Sequence, residues 1–178
     1  MKNKNYDTSI EELSKMHLNL LPYSIPSLLS FNYLKEFYKY LANSDYEHII
    51  EIKGEEGLCA FSVFSSNPSS LGRRLLLHTP LILSLFKIFL SGSYKNIVSL
   101  MKQYIYNKKN NFPEFIYLMV KEEYRTYGYG HKLIFQNIEY ARKNKNKFIS
   151  VRCEENLIKF YSYFGFKITQ NGHQNILK

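Results

Sequence analysis

The sequence predicts a mixed α/β fold from three features. Apolar residues keep helical spacing as far as Leu41, a strand-turn-strand pattern surrounds 54–57, and strands alternate with helices from Phe115 onward. No internal repeat or disordered linker interrupts the 178 residues, so one domain spanning 1–178 is expected.

Ile10, Leu13, Met16, His17 and Leu20 recur at helical spacing, and Pro22 closes that first helix. After a turn at 24–26, the apolar stripe Leu28, Leu29, Phe31, Leu34, Phe37, Tyr38 and Leu41 predicts one longer helix, stopped by Asn43, Ser44 and Asp45. The runs 46–53 and 58–65 read as an antiparallel hairpin turned at 54–57. Segment 66–106 carries two helix-like stretches, 75–90 and 94–106, parted by Ser91, Gly92 and Ser93. It reads as an insertion that shapes a pocket. The remaining expectations are a strand at 115–120, a polar turn, a helix carrying Leu133, Ile134, Ile138 and Ala141, a strand at 148–152, a short helix at 157–164 ended by Gly165, and a last strand from Phe166 to Thr169.

Hydrophobic residues form 45% and charged residues 22% of the chain, enough apolar surface to offset the entropy of folding. A formal charge of +9 attracts anions, whether nucleic acid, an acidic membrane or a small ligand with several phosphates. Cys59 and Cys153 lie far apart and fit a reduced cytoplasmic protein, and no apolar signal core follows the basic first residues. The stretch 75–90 is apolar but too short to span a bilayer, and it contains His78, Pro80 and Lys87. Stable membrane insertion is therefore not expected. A buried or partner-facing helix is favoured over one lying on a membrane surface, and pairing of two subunits through it stays open. Scattered histidines and the lack of a carboxylate cluster with ligand spacing give no support for a metal site.

The most informative residues are Arg125, Thr126, Tyr127, Gly128, Tyr129 and Gly130, between a strand ending in Leu118, Met119 and Val120 and the helix after it. Glycines there let the backbone bend with amides pointing inward, and with the positive end of the helix those amides suit a pyrophosphate. A plain strand-to-helix turn would also explain a lone Gly-x-Gly. A dinucleotide fingerprint would need a third glycine where Leu133 stands, and a phosphate-binding loop of the Walker type would need Gly-Lys-Ser/Thr.

These residues resemble the signature of the GCN5-related N-acetyltransferase family, Arg/Gln-x-x-Gly-x-Gly/Ala between a strand and a helix. The resemblance continues at 156–166, where Asn156, the pair Phe160-Tyr161 and then Gly165-Phe166 look like the family's second motif. It is clearest over 114–167. The insertion at 66–106 departs from the minimal family pattern, as does Glu122, where many relatives have proline.

The resemblance implies a mainly antiparallel central sheet flanked by helices, with the helical insertion between hairpin and central strand, and acetyl-CoA as acyl donor without a metal. It implies pantetheine along Leu118, Met119 and Val120, with the Met119 backbone amide polarising the thioester oxygen. Pyrophosphate would rest on the amides of Arg125, Thr126, Tyr127, Gly128, Tyr129 and Gly130. Tyr161 takes the position of the general acid that protonates the departing thiolate, Glu114 that of the base, Asn156 a contact to the CoA arm, and His17 the acceptor pocket. Each has a plainer reading: a packed aromatic, a solvated strand-end charge, a helix N-cap and a structural histidine.

The acceptor expected is a small-molecule primary amine. Arg73, Arg74, Lys87, Lys95 and Lys102 could form a basic wall favouring an anionic one such as a nucleotide-linked amino sugar, and relatives with a similar insertion look like those of surface-polysaccharide pathways. Another small amine, a protein N-terminus, or a non-catalytic basic module binding nucleic acid or lipid are the alternatives; nucleic acid is not expected as a partner.

Overall fold

A computed structural model describes residues 6–90, 112–170 and 175–177. The elements are α1 (Tyr6–Leu20), α2 (Ile25–Leu29), α3 (Phe31–Asn43), β1 (Glu47–Gly54), β2 (Gly57–Ser65), α4 (Pro68–Leu77), α5 (Thr79–Leu90), β3 (Glu114–Val120), α6 (Tyr129–Lys143), β4 (Ser150–Cys153), α7 (Ile158–Ser162), β5 (Ile168–Gln170) and β6 (Asn175–Leu177). Single 3-10 turns, Glu122–Tyr127 and Glu155–Leu157, precede α6 and α7. The sheet order is β1-β2-β3-β4-β6-β5, with β3 and β4 the one parallel pair among the described residues. The fold is thus the expected mixed, mainly antiparallel sheet flanked by helices.

Two expected helices are each divided. The stripe from Leu28 to Leu41 breaks at Ser30, whose extended backbone (φ −178°, ψ 162°) lets its hydroxyl accept the Tyr33 amide at 3.0 Å, so the chain restarts as α3. The apolar run 75–90 breaks at His78, which closes α4 in an extended conformation before Thr79 and Pro80 open α5. Proline at a helix start costs no hydrogen bond, whereas inside one continuous helix it would. The expected strand 148–152 shifts to Ser150–Cys153, and β6 was not anticipated. The expected helix 94–106 lies outside the described residues.

Two apolar layers cover the sheet. Ile10, Leu13 and Met16 of α1 and Leu34, Phe37, Tyr38 and Leu41 of α3 pack with Phe61, Val63 and Met119. On the opposite face, Ala60 and Phe64 of β2 meet Leu133, Ile134 and Ala141 of α6, and the side chain of buried Asn137 donates to Ser62 Oγ at 2.6 Å. The alternation along β2 fixes both contacts at once. A second polar link joins hairpin to insertion: the Glu47 carboxylate, shut away from solvent, receives Ser65 Oγ at 2.7 Å and is also held by Ser44 and Arg74.

Pairing between β2 and β3 slips by one residue, since Val63 faces Tyr117 while Phe64 faces Phe115. Ile116 is the extra residue of a β-bulge, so Ile116 and Tyr117 both pack toward the α1/α3 layer. A bulge bends its strand and increases its twist. Here the bend coincides with the place where β3 leaves β4.

Candidate active site

β3 and β4 are paired at Glu114 with Ser150 and at Phe115 with Val151. Beyond them, among the described residues, no ladder joins the two strands, although β3 continues to Val120 against Ala60 of β2 and β4 continues to Cys153 against Asn175 of β6. The sheet opens there into a split. One lip is β3 beyond Phe115, where the alternation of the strand turns the peptide groups of Leu118 and Val120 toward the split, open to a ligand. Met119 offers the split neither side chain nor amide: its side chain is buried in the first apolar layer, and its amide faces β2 as that of Lys121 does, which corrects the expectation that it polarises the thioester oxygen.

At the end of β3, the Lys121 amide donates to the Cys59 carbonyl at 3.0 Å, and the 3-10 turn Glu122–Tyr127 leads to Gly128. Gly128 has φ 75°, the left-handed conformation that glycine takes at little cost, and it starts α6 without any side-chain cap. The first-turn amides of α6 therefore point outward with the positive end of the helix dipole behind them. Arg125 is exposed beside them, 3.5 Å from Glu122. An uncapped helix start next to an open strand edge fits a pyrophosphate followed by an amide-bearing chain.

Gly130 needs a different explanation from the expected backbone bend. It lies within the first turn of α6 with ordinary dihedrals, and a Cβ there would meet Phe160 Cζ at 3.4 Å and Val120 Cγ2 at 3.9 Å. Its smallness lets α6 approach α7 and β3. At Gly128 a Cβ would meet nothing within 4 Å, so Gly128→Ala acts through dihedral strain alone, about 1 to 2 kcal/mol. We expect that variant to bind acetyl-CoA several-fold more weakly in a calorimetric titration. Unchanged affinity would show that the loop amides do not hold the phosphates.

Tyr161 sits on α7 beside the end of β4. Gly165, at φ 85°, stops that helix, with its amide bonded to the Ser162 carbonyl at 3.0 Å. The chain then returns Phe166 onto Tyr161, with ring centroids 5.8 Å apart, while Phe160 packs edge-on at 5.2 Å. Burial, with a smaller contribution from Cys153, pushes the Tyr161 phenol up to about 12, so it carries its proton at neutral pH. Tyr163 is turned outward and exposed. Asn156 is exposed inside the 3-10 turn Glu155–Leu157 rather than capping α7, which corrects its plainer reading.

Glu114 is not a solvated strand-end charge. It is buried at the base of the split, and its Oε1 receives Arg152 Nε from β4. His17 is wholly buried. Its Nε2 lies 2.7 Å from Ser24 Oγ and its Nδ1 2.6 Å from the Tyr38 hydroxyl. Ser24 donates onward to Ser27 Oγ at 2.9 Å, so the consistent arrangement has Nε2–H donating to Ser24 and the Tyr38 O–H donating to Nδ1. Burial lowers the His17 pKa to about 4, so the ordinary value that would suit a proton shuttle is not kept.

That shift carries a stability consequence. Below pH 6.5 the unfolded chain protonates His17 while the folded chain does not until about pH 4. His17 therefore withdraws about 3 kcal/mol of stability as pH falls across that window, and nothing above it. Melting temperature should fall with acid in the native protein and fall less steeply in His17→Gln; equal slopes would assign the acid sensitivity to another group.

Several residues of this region were not singled out from the sequence. Tyr117 packs edge-on against His17 at 4.7 Å and Phe37 at 6.3 Å, and the Tyr33 and Arg152 side chains lie close enough to act on its phenol, which burial raises. Tyr161 belongs to the layer on one face of the sheet, whereas Tyr117, Phe37 and Tyr33 belong to the α1/α3 layer on the opposite face. The signal that moves Tyr117 to that side is the bulge at Ile116. The expected basic wall is reduced: Arg73 is exposed, Arg74 is held by Glu47, and Lys95 and Lys102 lie outside the described residues.

A family model described as an acetyltransferase (GNAT) domain matches residues 87–175, half of the chain. The chain belongs to the GNAT acetyltransferase family. As a GNAT member it is an acyl-CoA-dependent N-acetyltransferase with acetyl-CoA as donor. Comparison with curated proteins gave no match. Solved structures agree on the GNAT fold: a crystal structure named only as an acetyltransferase has a TM-score of 0.62 at 15% identity, over 97% of this chain and 93% of that one. NAA60 of Arabidopsis thaliana in complex with acetyl-CoA gives 0.54 at 13% identity, over 96% and 90%. The PaiA N-acetyltransferase of Thermoplasma acidophilum in complex with coenzyme A gives 0.53 at 12% identity, over 98% and 94%.

Proposed function

We propose that this enzyme moves an acetyl group from acetyl-CoA to a small primary amine by direct attack, with no covalent enzyme intermediate. The observation that carries this reading is the β3/β4 split opening beside the uncapped start of α6. Leu118 and Val120 hold the pantetheine arm through the peptide groups that face the split. The amides of Arg125, Thr126, Tyr127, Gly128, Tyr129 and Gly130 hold the pyrophosphate, and Asn156 flanks the arm from the far lip. Bound there, acetyl-CoA supplies an activated acetyl thioester.

The residues around it manage two protons. Glu114 accepts one from the incoming ammonium, relayed by water because the carboxylate is buried and engaged with Arg152. Tyr161 Oη gives one to the departing sulfur as the new carbon–nitrogen bond forms and the carbon–sulfur bond breaks, and it is reprotonated by the second proton that the acylated nitrogen sheds. His17 braces the acceptor wall through Tyr38 and Tyr117.

For the acceptor we infer an amine on an anionic carrier, with a nucleotide-linked amino sugar as the leading case. Support comes from the +9 charge and from exposed Arg73. Thiol release from acetyl-CoA, measured over a panel of amines, tests this. Faster turnover of a nucleotide-linked amino sugar than of an aminoglycoside or an N-terminal peptide is expected; the reverse order would overturn the anionic acceptor.

A further inference from the structure

Among the described residues, the two helices that follow β2 turn an apolar face outward. On α4, Arg73, Leu76 and Leu77 are exposed at helical spacing, with Leu77 at 71%. On α5, Ile82, Leu83, Phe86 and Leu90 are exposed on one side, 42% to 69% each. Their opposite sides are already spoken for: Leu81 is fully buried, and Leu71, Leu75 and Leu85 pack against the α1/α3 layer. Six large apolar side chains on adjoining outward faces form a patch of the kind that marks an interaction surface.

Charge selects the occupant. From 57 to 113 the sequence contains no Asp or Glu, while it carries Arg73, Arg74 and five lysines. Arg74 turns inward to Glu47, whereas Arg73 stays exposed at the edge of the patch. A second copy docked through the same face would present no carboxylate from α4 or α5 to pair with Arg73. A bilayer with anionic headgroups satisfies both properties, taking apolar side chains at the headgroup boundary and pairing the cations with phosphates. Among the described residues no helix is long and apolar enough to cross a membrane, so the contact is peripheral.

We propose that the α4/α5 face docks this protein on anionic membrane surfaces. The inference is independent of the acetyl-transfer chemistry, and it goes beyond the reading of the split.

Co-sedimentation of the full chain with lipid vesicles tests it. Binding is expected to vesicles of mixed phosphatidylcholine and phosphatidylglycerol, weakened by added salt, with little binding to phosphatidylcholine alone. Leu83→Glu with Phe86→Glu should weaken binding roughly tenfold or more, and Arg73→Ala about fivefold. All three positions are exposed, and circular dichroism checks the fold. Should the double variant fail to fold, Arg73→Ala and the salt dependence of the native chain decide. No binding, equal binding to neutral vesicles, or affinity unchanged by the substitutions would overturn the proposal. A native dimer that the double variant splits, without vesicle binding, would assign the face to a second copy instead.

Discussion

Tyr161→Phe is expected to lower kcat by about a hundredfold or more while leaving the affinity for acetyl-CoA unchanged. The substitution keeps the ring that packs against Phe160 and Phe166 and removes only the hydroxyl. Burial holds that phenol at about 12, which keeps it protonated and ready to donate, and α7 fixes it beside the last residue of β4. If Tyr161 served only to fill the layer between α7 and the sheet, Phe would serve as well. Steady-state kinetics with calorimetric binding separates the two roles. A normal kcat with normal binding would remove Tyr161 from the chemistry.

Arg74→Ala should cost about 3 to 5 kcal/mol of stability, because it leaves the Glu47 carboxylate buried without a counter-charge. The guanidinium also lies 4.4 Å from the Tyr46 ring centroid, so packing is lost with the charge. Ser44 and Ser65 keep their hydrogen bonds to Glu47, which places the loss toward the lower end. Chemical denaturation reads the effect. Replacing both partners, as Glu47→Gln with Arg74→Met, should recover much of it, since removing a buried pair is far milder than orphaning one member. A loss below about 1 kcal/mol in the single variant would show the pair to be solvated in solution.

The region from Glu114 to Lys167 was legible because its signals are local. Gly165 takes the left-handed conformation that suits the end of a helix, Gly128 supplies the bend expected before α6, and the strand, loop and helix around 125–130 follow from residues close in sequence. What escaped depends on partners distant in the chain. The bulge at Ile116 is set by register against Val63 and Phe64, and it carries Tyr117 onto the face where His17 waits. Arg74 looked like a free cation until the fold brought Glu47 beneath it, and Glu114 looked like an exposed strand end until Arg152 came alongside on β4. The breaks at Ser30 and His78 were missed for another reason. Apolar spacing continues through both, and only the capping hydroxyl of Ser30 and the proline after Thr79 signal the restart.

The central claim is that the split between β3 and β4, with the start of α6, binds the acyl donor. Isothermal titration with acetyl-CoA, and with CoA as the control, tests it most directly. Saturable binding at one site per chain is expected for both ligands, weakened in Gly128→Ala. Absence of binding of either ligand to folded protein would contradict the account.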